Sequence, residues 1–144
     1  MRHSGSDLES KPKEESAVMN SLRRVLWCWG FMGMIGIPAF VLADPLGGWK
    51  WVPHNSIYDQ MIVSIYFALG IFCFRALRDP LASREFLWFV VWSSVAHGGV
   101  MLFHAVHAPV HRGHLLGDVF ILAGAVGLAI PLRKAERERS ARCG

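Results

Sequence analysis

The sequence VLWCWGFMGMIGIPAFVLA, residues 25–43, decides the fold, because this stretch contains no charged side chain. A surface helix of a soluble protein shows a polar stripe, and this stretch lacks one. Its length is close to the ~20 residues that an α-helix needs to cross the ~30 Å hydrocarbon core of a bilayer. We therefore predict a membrane-spanning helix at these residues.

Three further apolar runs of similar length follow along the chain. Hydrophobic residues make up 53% of its 144 residues, which is more than a soluble domain usually contains. The sequence therefore predicts a single-domain, all-α integral membrane protein, a four-helix bundle with a transmembrane domain at residues 23–133. The four helices are predicted at about residues 25–43, 57–77, 84–108 and 115–132.

Polar segments flank the predicted transmembrane domain. Residues 1–22 are rich in charged residues, Ser and Gly, and are predicted to form a disordered tail. Residues 134–144 are predicted to form a basic cytoplasmic tail. We expect the fourth helix to end at Pro131, and Pro38 to kink the first helix, because proline lacks the backbone N–H that a helix uses.

The distribution of Lys and Arg predicts the orientation of the helices. Thirteen of the fifteen lie before residue 25, within residues 75–85 between the second and third apolar runs, or after residue 132, and the others are Lys50 and Arg112. Short loops rich in Lys and Arg stay in the cytoplasm, so both termini are predicted to be cytoplasmic. We expect a multi-pass protein of the bacterial inner membrane. Its positive charge is then explained by anionic lipid head groups, without a nucleic-acid partner.

Small and aromatic residues recur at helical spacing in the predicted spans. Small residues let neighbouring membrane helices approach closely, so we expect the glycines of the first and fourth helices to pack against other helices. Trp92 and its aromatic neighbours cover a wide helix surface and are expected to face lipid or the core. The glycines concerned are Gly30, Gly33, Gly36, Gly117, Gly124 and Gly127.

Five histidines fall within eighteen residues around the end of the third predicted helix. They are His97, His104, His107, His111 and His114, and Asp118 follows them. Residues seven apart on a helix differ by about 20° in direction and about 10.5 Å in height, so the first two share a face. Ionisable side chains inside a membrane are costly and usually face the bundle interior with a partner.

One interpretation of this cluster is a metal site. Imidazole and carboxylate groups suit zinc, iron or copper, and histidines three apart on a helix can reach one ion. The predicted ligand set for one such transition metal ion is His97, His104, His107, His114 and Asp118. Asp59 is a further carboxylate, although Ser56 and Asp59 are also typical of a helix-capping box.

Other interpretations of the histidines remain open. His97 lies near Ser93 and Ser94, so hydrogen bonds between helices explain it equally well. Haem is disfavoured, because every histidine that lies firmly within a predicted helix belongs to the third one. A proton path through His97 and His104 lacks matching groups in the cytoplasmic half of the bundle.

Four motifs between residues 58 and 132, about half of the chain, carry a family resemblance. They are Tyr66-x-x-Leu69-Gly70, Arg78-Asp79-Pro80, Trp92-Ser93-Ser94-x-x-His97 and His111-x-Gly113-His114-Leu115-x-Gly117-Asp118-Val119. These motifs resemble a family of small four-helix bacterial membrane proteins, domain of unknown function 6632. The resemblance implies a fold and a membrane location but no activity. It marks Ser93, Ser94, His97, His114 and Asp118 as motif positions.

Two classes of function are compatible with these observations. In the first, the chain is a non-enzymatic accessory or interaction protein that contacts a membrane-protein partner or a second copy of itself. In the second, it binds a metal near the outer face as a redox, transport or hydrolytic component. No serine, cysteine or threonine is clearly paired with a base, so the sequence assigns no catalytic residue.

Overall fold

A computed structural model describes residues 6–43, 56–107 and 115–143, and all its regular elements are helices. The all-α prediction is therefore confirmed for this part of the chain. The predictions for Lys50, His111, Arg112 and His114 lie outside the described residues. The elements are α1 (Ser6–Phe31), a π-helical turn (Met32–Gly36), α2 (Ile37–Ala43), α3 (Ser56–Ala76), α4 (Arg84–His107) and α5 (Leu115–Cys143).

The helices pack as antiparallel neighbours. α1 contacts both α3 and α5, and α4 contacts α5. The antiparallel pairing is visible where the Trp29 Nε1–H donates to the carbonyl oxygen of Gly124, 3.4 Å away. We call the end of the bundle that holds Ser6 and Cys143 the terminal end. The opposite end, which holds Ala43, Ser56, His107 and Leu115, is the distal end.

The main hydrophobic core lies in the terminal half and receives side chains from every long helix. Polar contacts of Trp88 lie at its edge. The Trp88 indole N–H donates to Oε1 of Glu136 at 3.0 Å, and the Arg133 guanidinium lies 5.6 Å from a ring centroid of the same tryptophan. The buried core residues are Val18, Leu22, Leu26, Trp29, Cys73, Ala76, Leu87, Val90, Val91, Leu128, Leu132 and Ala135.

Three helical segments are long and apolar enough to cross a membrane. They are Ser16–Ala43, Ser56–Ala76 and Arg84–His107. Many of their large apolar side chains lie on the outside of the bundle, including Ile65, which is 65% exposed. Such a surface suits contact with lipid rather than with water. Three of the four predicted spans therefore meet the requirements of length and composition.

The outer two helices extend well beyond the predicted spans. α1 begins at Ser6, so the segment predicted to be a disordered tail is helical from this residue onward. α5 continues through the basic tail to Cys143, although Pro131 was expected to end it. Pro131 is itself buried, so packing against the bundle offsets the backbone hydrogen bond that it removes. Val18, Leu22, Leu132 and Ala135 belong to one buried cluster, so the two extensions support each other.

The first helical segment is continuous through Pro38 because its backbone widens one turn earlier. The Ile37 N–H donates to the carbonyl oxygen of Met32, five residues before it, as in a π-helix. Proline donates no hydrogen bond, and its ring clashes with the carbonyl four residues before it, here that of Met34. The π-helical turn is therefore a local adjustment to the proline at this position.

Candidate functional site

Asp118 is the most unusual side chain in the distal half. It lies in the first turn of α5 and is 1% exposed. Neither of its carboxylate oxygens has a hydrogen-bond partner in the part of the chain that the structure describes. A buried polar group without partners is costly, and an unpaired ionised carboxylate is far more so. This arrangement therefore requires an explanation beyond packing.

The close approach of α4 and α5 explains why Asp118 is buried. A Cβ atom added at Gly98 would lie 2.9 Å from Cγ of Leu122 and 3.7 Å from the carbonyl oxygen of Asp118. A larger residue at position 98 would push the two helices apart. Because Gly98 has no side chain, the first turns of α5 pack closely against α4. This close packing encloses the Asp118 carboxyl.

Two aromatic rings lie between the helices near Asp118. The rings of Tyr66 on α3 and His97 on α4 meet edge to face, with centroids 6.2 Å apart and planes at 79°. Tyr66 lies within electrostatic reach of Asp118. We call Tyr66, His97 and Asp118 the distal polar cluster. Three different helices contribute to it, so it depends on the assembled bundle.

Tyr66 belongs to the site although sequence reasoning did not select it as a functional residue. It appeared there only within the motif Tyr66-x-x-Leu69-Gly70. Its position depends on close backbone contact, since a Cβ atom at Gly33 would lie 2.6 Å from the carbonyl oxygen of Tyr66 and 3.0 Å from Cα of Gly70. A Cβ atom at Gly70 would lie 2.8 Å from the carbonyl oxygen of Gly30. The glycines thus hold the π-helical turn directly against α3, beside Tyr66.

The two motif serines are bonded within their own helix. The Ser94 hydroxyl is buried and donates to the carbonyl oxygen of Val90 at 2.7 Å. The Ser93 hydroxyl donates to the same oxygen at 3.1 Å. These bonds satisfy the hydroxyl donors without a neighbouring helix. The structure therefore provides a local role for both serines.

The remaining described histidines lie on the surface, away from the interior. His104 and His107 are exposed, and both rings contact Phe103, with centroid distances of 5.6 and 4.2 Å. Nδ1 of His107 lies 2.7 Å from the carbonyl oxygen of Phe103, so this nitrogen carries the proton. Among the described residues, no three His, Cys, Asp or Glu side chains are grouped as a metal site requires. His114 lies outside those residues, so the predicted ligand set is not assembled in the described part.

The other predicted residues fall into different environments. Asp59 is half-buried in the first turn of α3. Trp92 is 63% exposed, and Gly117 is half-buried. A Cβ atom at Gly124 would lie 3.0 Å from the Trp29 ring, whereas one at Gly127 would have no neighbour within 4 Å. The expected close packing at Gly127 is therefore wrong, because none of the described helices approaches α5 on that side.

Comparison with known families identifies the chain. The model of a family of unknown function, DUF6632, matches residues 21–143. The chain therefore belongs to this family, as the motifs of the last three helices indicated. Comparison with curated proteins and with solved structures gave no match.

Proposed function

We propose that this family member is a four-span protein of the bacterial inner membrane, with both termini in the cytoplasm, and that it acts as a non-enzymatic accessory or interaction protein. The fourth span is the first part of α5, residues 115–132, where Asp118 is the one charged residue. That carboxyl is turned away from the surface of the bundle. The antiparallel packing of α5 on α1 and α4 supports a span of similar depth.

The weak embedding of α3 is the observation that supports an interaction role. In its most apolar stretch, 11% of the residues are buried inside the bundle, against 33% for α4. α3 packs along α1, the π-helical turn and α2. Its contacts with α4 include pairs of rings, such as Phe72 and Phe86 with centroids 5.7 Å apart. A helix held on one side offers its other side to lipid, to another membrane protein or to a second copy.

Photo-crosslinking in native membranes tests the interaction role. A photoreactive side chain replaces Ile65 on α3 or, as the matched control, Ile130 on α5, since these residues are 65% and 64% exposed. We expect a discrete protein adduct from position 65 and none from position 130. An adduct of twice the 16.1 kDa chain mass indicates a second copy. Lipid adducts alone at both positions would contradict the interaction role.

Reporter fusions test the orientation and the fourth span separately. A fluorescent reporter that matures only in the cytoplasm is fused after Gly144, and a phosphatase that is active only in the periplasm is fused there in a second chain. We expect fluorescence without phosphatase activity. A phosphatase fused after Arg112 should be active. Activity of the C-terminal phosphatase would show either an inverted protein or an α5 that does not cross, and the fusion at Arg112 distinguishes these outcomes.

A further inference from the structure

We propose that the distal polar cluster is a proton-binding site, in which the Asp118 carboxyl takes up a proton from the aqueous phase at the distal end and Tyr66 responds to its charge. On binding, one carboxylate oxygen forms an O–H bond with the incoming proton, and the carboxylate becomes a neutral carboxylic acid. On release, the proton returns to water. This inference does not depend on which side of the membrane the distal end faces.

The described residues near Asp118 carry no permanent positive charge. α5 packs against α1 and α4. Residues 25–43 of the α1 and α2 segment contain Cys28, toward the terminal end, as their one titratable side chain. Residues 86–107 of α4 contain three histidines and no Lys or Arg. Within the described residues, neutralisation of this buried carboxylate therefore requires a proton or a bound cation.

The titratable side chains of α4 and α3 show which groups can interact with Asp118. Of the α4 histidines, His97 is half-buried and in contact with Tyr66, whereas His104 and His107 are exposed. The titratable residues of α3 are Tyr58, Asp59, Tyr66, Cys73 and Arg75, of which Arg75 lies in the last turn at the terminal end. Of these residues, Tyr66 is in electrostatic contact with Asp118.

The size of the site favours a proton over a larger ligand. Asp118 is 1% exposed, and the backbone of its turn lies against Gly98. A hydrated ion would have to displace this packing, whereas a proton adds no volume.

A π-helical turn packs against the backbone beside Tyr66. The π-helical turn lies against α3 at Tyr66, and π-helical turns occur often at functional sites. Tyr66 and His97 lie in a region where α3 and α4 meet through side chains. A change of charge at Asp118 therefore acts in the region where α3 and α4 meet through side chains. In this arrangement His97 is a positioning residue that holds the Tyr66 ring.

Infrared spectroscopy of the full chain in lipid bilayers tests the proposal. A protonated carboxyl has a carbonyl stretching band that an ionised carboxylate lacks. As the pH is lowered we expect such a band to appear, and it should be absent in Asp118→Asn and retained in Asp59→Asn. Glu138→Gln is a second control, because Oε2 of Glu138 is also buried without a partner. An unchanged band in Asp118→Asn would overturn the proposal.

Two further measurements keep the test decisive if the amide variant does not fold. In Asp118→Glu the carboxyl remains, and we expect the band to shift in position. In the unmodified chain, the ring vibrations of Tyr66, identified by their loss in Tyr66→Phe, should change in step with the Asp118 band as pH varies. A carboxylate ionised at neutral pH, with one equivalent of a metal that is lost in Asp118→Asn, would contradict proton binding. Tyr66 vibrations that do not follow the Asp118 band would contradict the coupling.

Discussion

The terminal and distal halves of the bundle bury polar groups in different ways. In the terminal half, Trp88 donates to Glu136 and lies beside Arg133, around a core supplied by all the long helices. In the distal half, both carboxylate oxygens of Asp118 are buried without a partner among the described residues, whereas in the terminal half one oxygen of Glu138 is. Buried polar groups are normally satisfied, and exceptions are common at functional sites. We therefore assign the stability of the bundle mainly to the terminal half, which holds the main core, and place the proposed proton site in the distal half.

We expect the largest effect from a substitution that breaks the close contact between the π-helical turn and α3. Gly33→Leu should prevent the assembly of α1 on α3, because even a Cβ atom would lie 2.6 Å from the carbonyl oxygen of Tyr66. The yield of folded monodisperse protein in detergent measures this loss. Gly99→Leu is the matched control, since no heavy atom lies within 4 Å of its Cβ position. Equal yields of the two variants would show that the helices do not meet at this point.

The second largest effect is expected when a buried side chain of the terminal core is truncated. Leu132→Ala removes a fully buried side chain and should lower the free energy of unfolding by about 2–5 kcal/mol. Ile130→Ala, two residues earlier on the same helix, should change it by less than about 0.5 kcal/mol, because Ile130 is 64% exposed. Denaturant-induced unfolding in micelles compares the two. A large loss in both variants would mean that α5 is covered on both sides.

A smaller effect tests the polar pairing of the terminal half. Trp88→Phe removes the indole donor to Glu136 and should cost about 1–2 kcal/mol of stability. Trp92→Phe, at an exposed position of the same helix, should be near neutral. The same unfolding measurement applies. If Trp92→Phe proves the more harmful change, the surface of α4 around Trp92 is covered by a partner.

The smallest effect is expected at the distal surface. His107→Ala removes a hydrogen bond to the carbonyl oxygen of Phe103 and a ring contact, both on an exposed face. We expect a change in stability within about 0.5 kcal/mol. A loss of stability comparable to that of Leu132→Ala would show that His107 has a buried partner in the native membrane, and would weaken the contrast between the two halves.

The sequence predicted much of the secondary structure but less of the site. The predicted span at residues 57–77 corresponds to α3, and the one at residues 84–108 corresponds to α4, to within one residue at each end. The predicted first and fourth helices are shorter than the helices of the structure. The polar extensions of α1 and α5 are stabilised by each other and not by local composition. His97 and Asp118 were selected as candidates from their cost in a membrane. Tyr66 was not, because a tyrosine within an apolar run resembles a packing residue.

The sequence by itself determined where the apolar helices lie and how charge is distributed between their ends, because the transfer of a segment into lipid depends on its own composition. Only the tertiary structure decided that the Asp118 carboxyl is enclosed without a partner and that Tyr66 lies nearby. Those properties depend on which helices are neighbours and on how closely Gly33, Gly70 and Gly98 let them approach. Such contacts join residues far apart along the chain, so no local pattern encodes them.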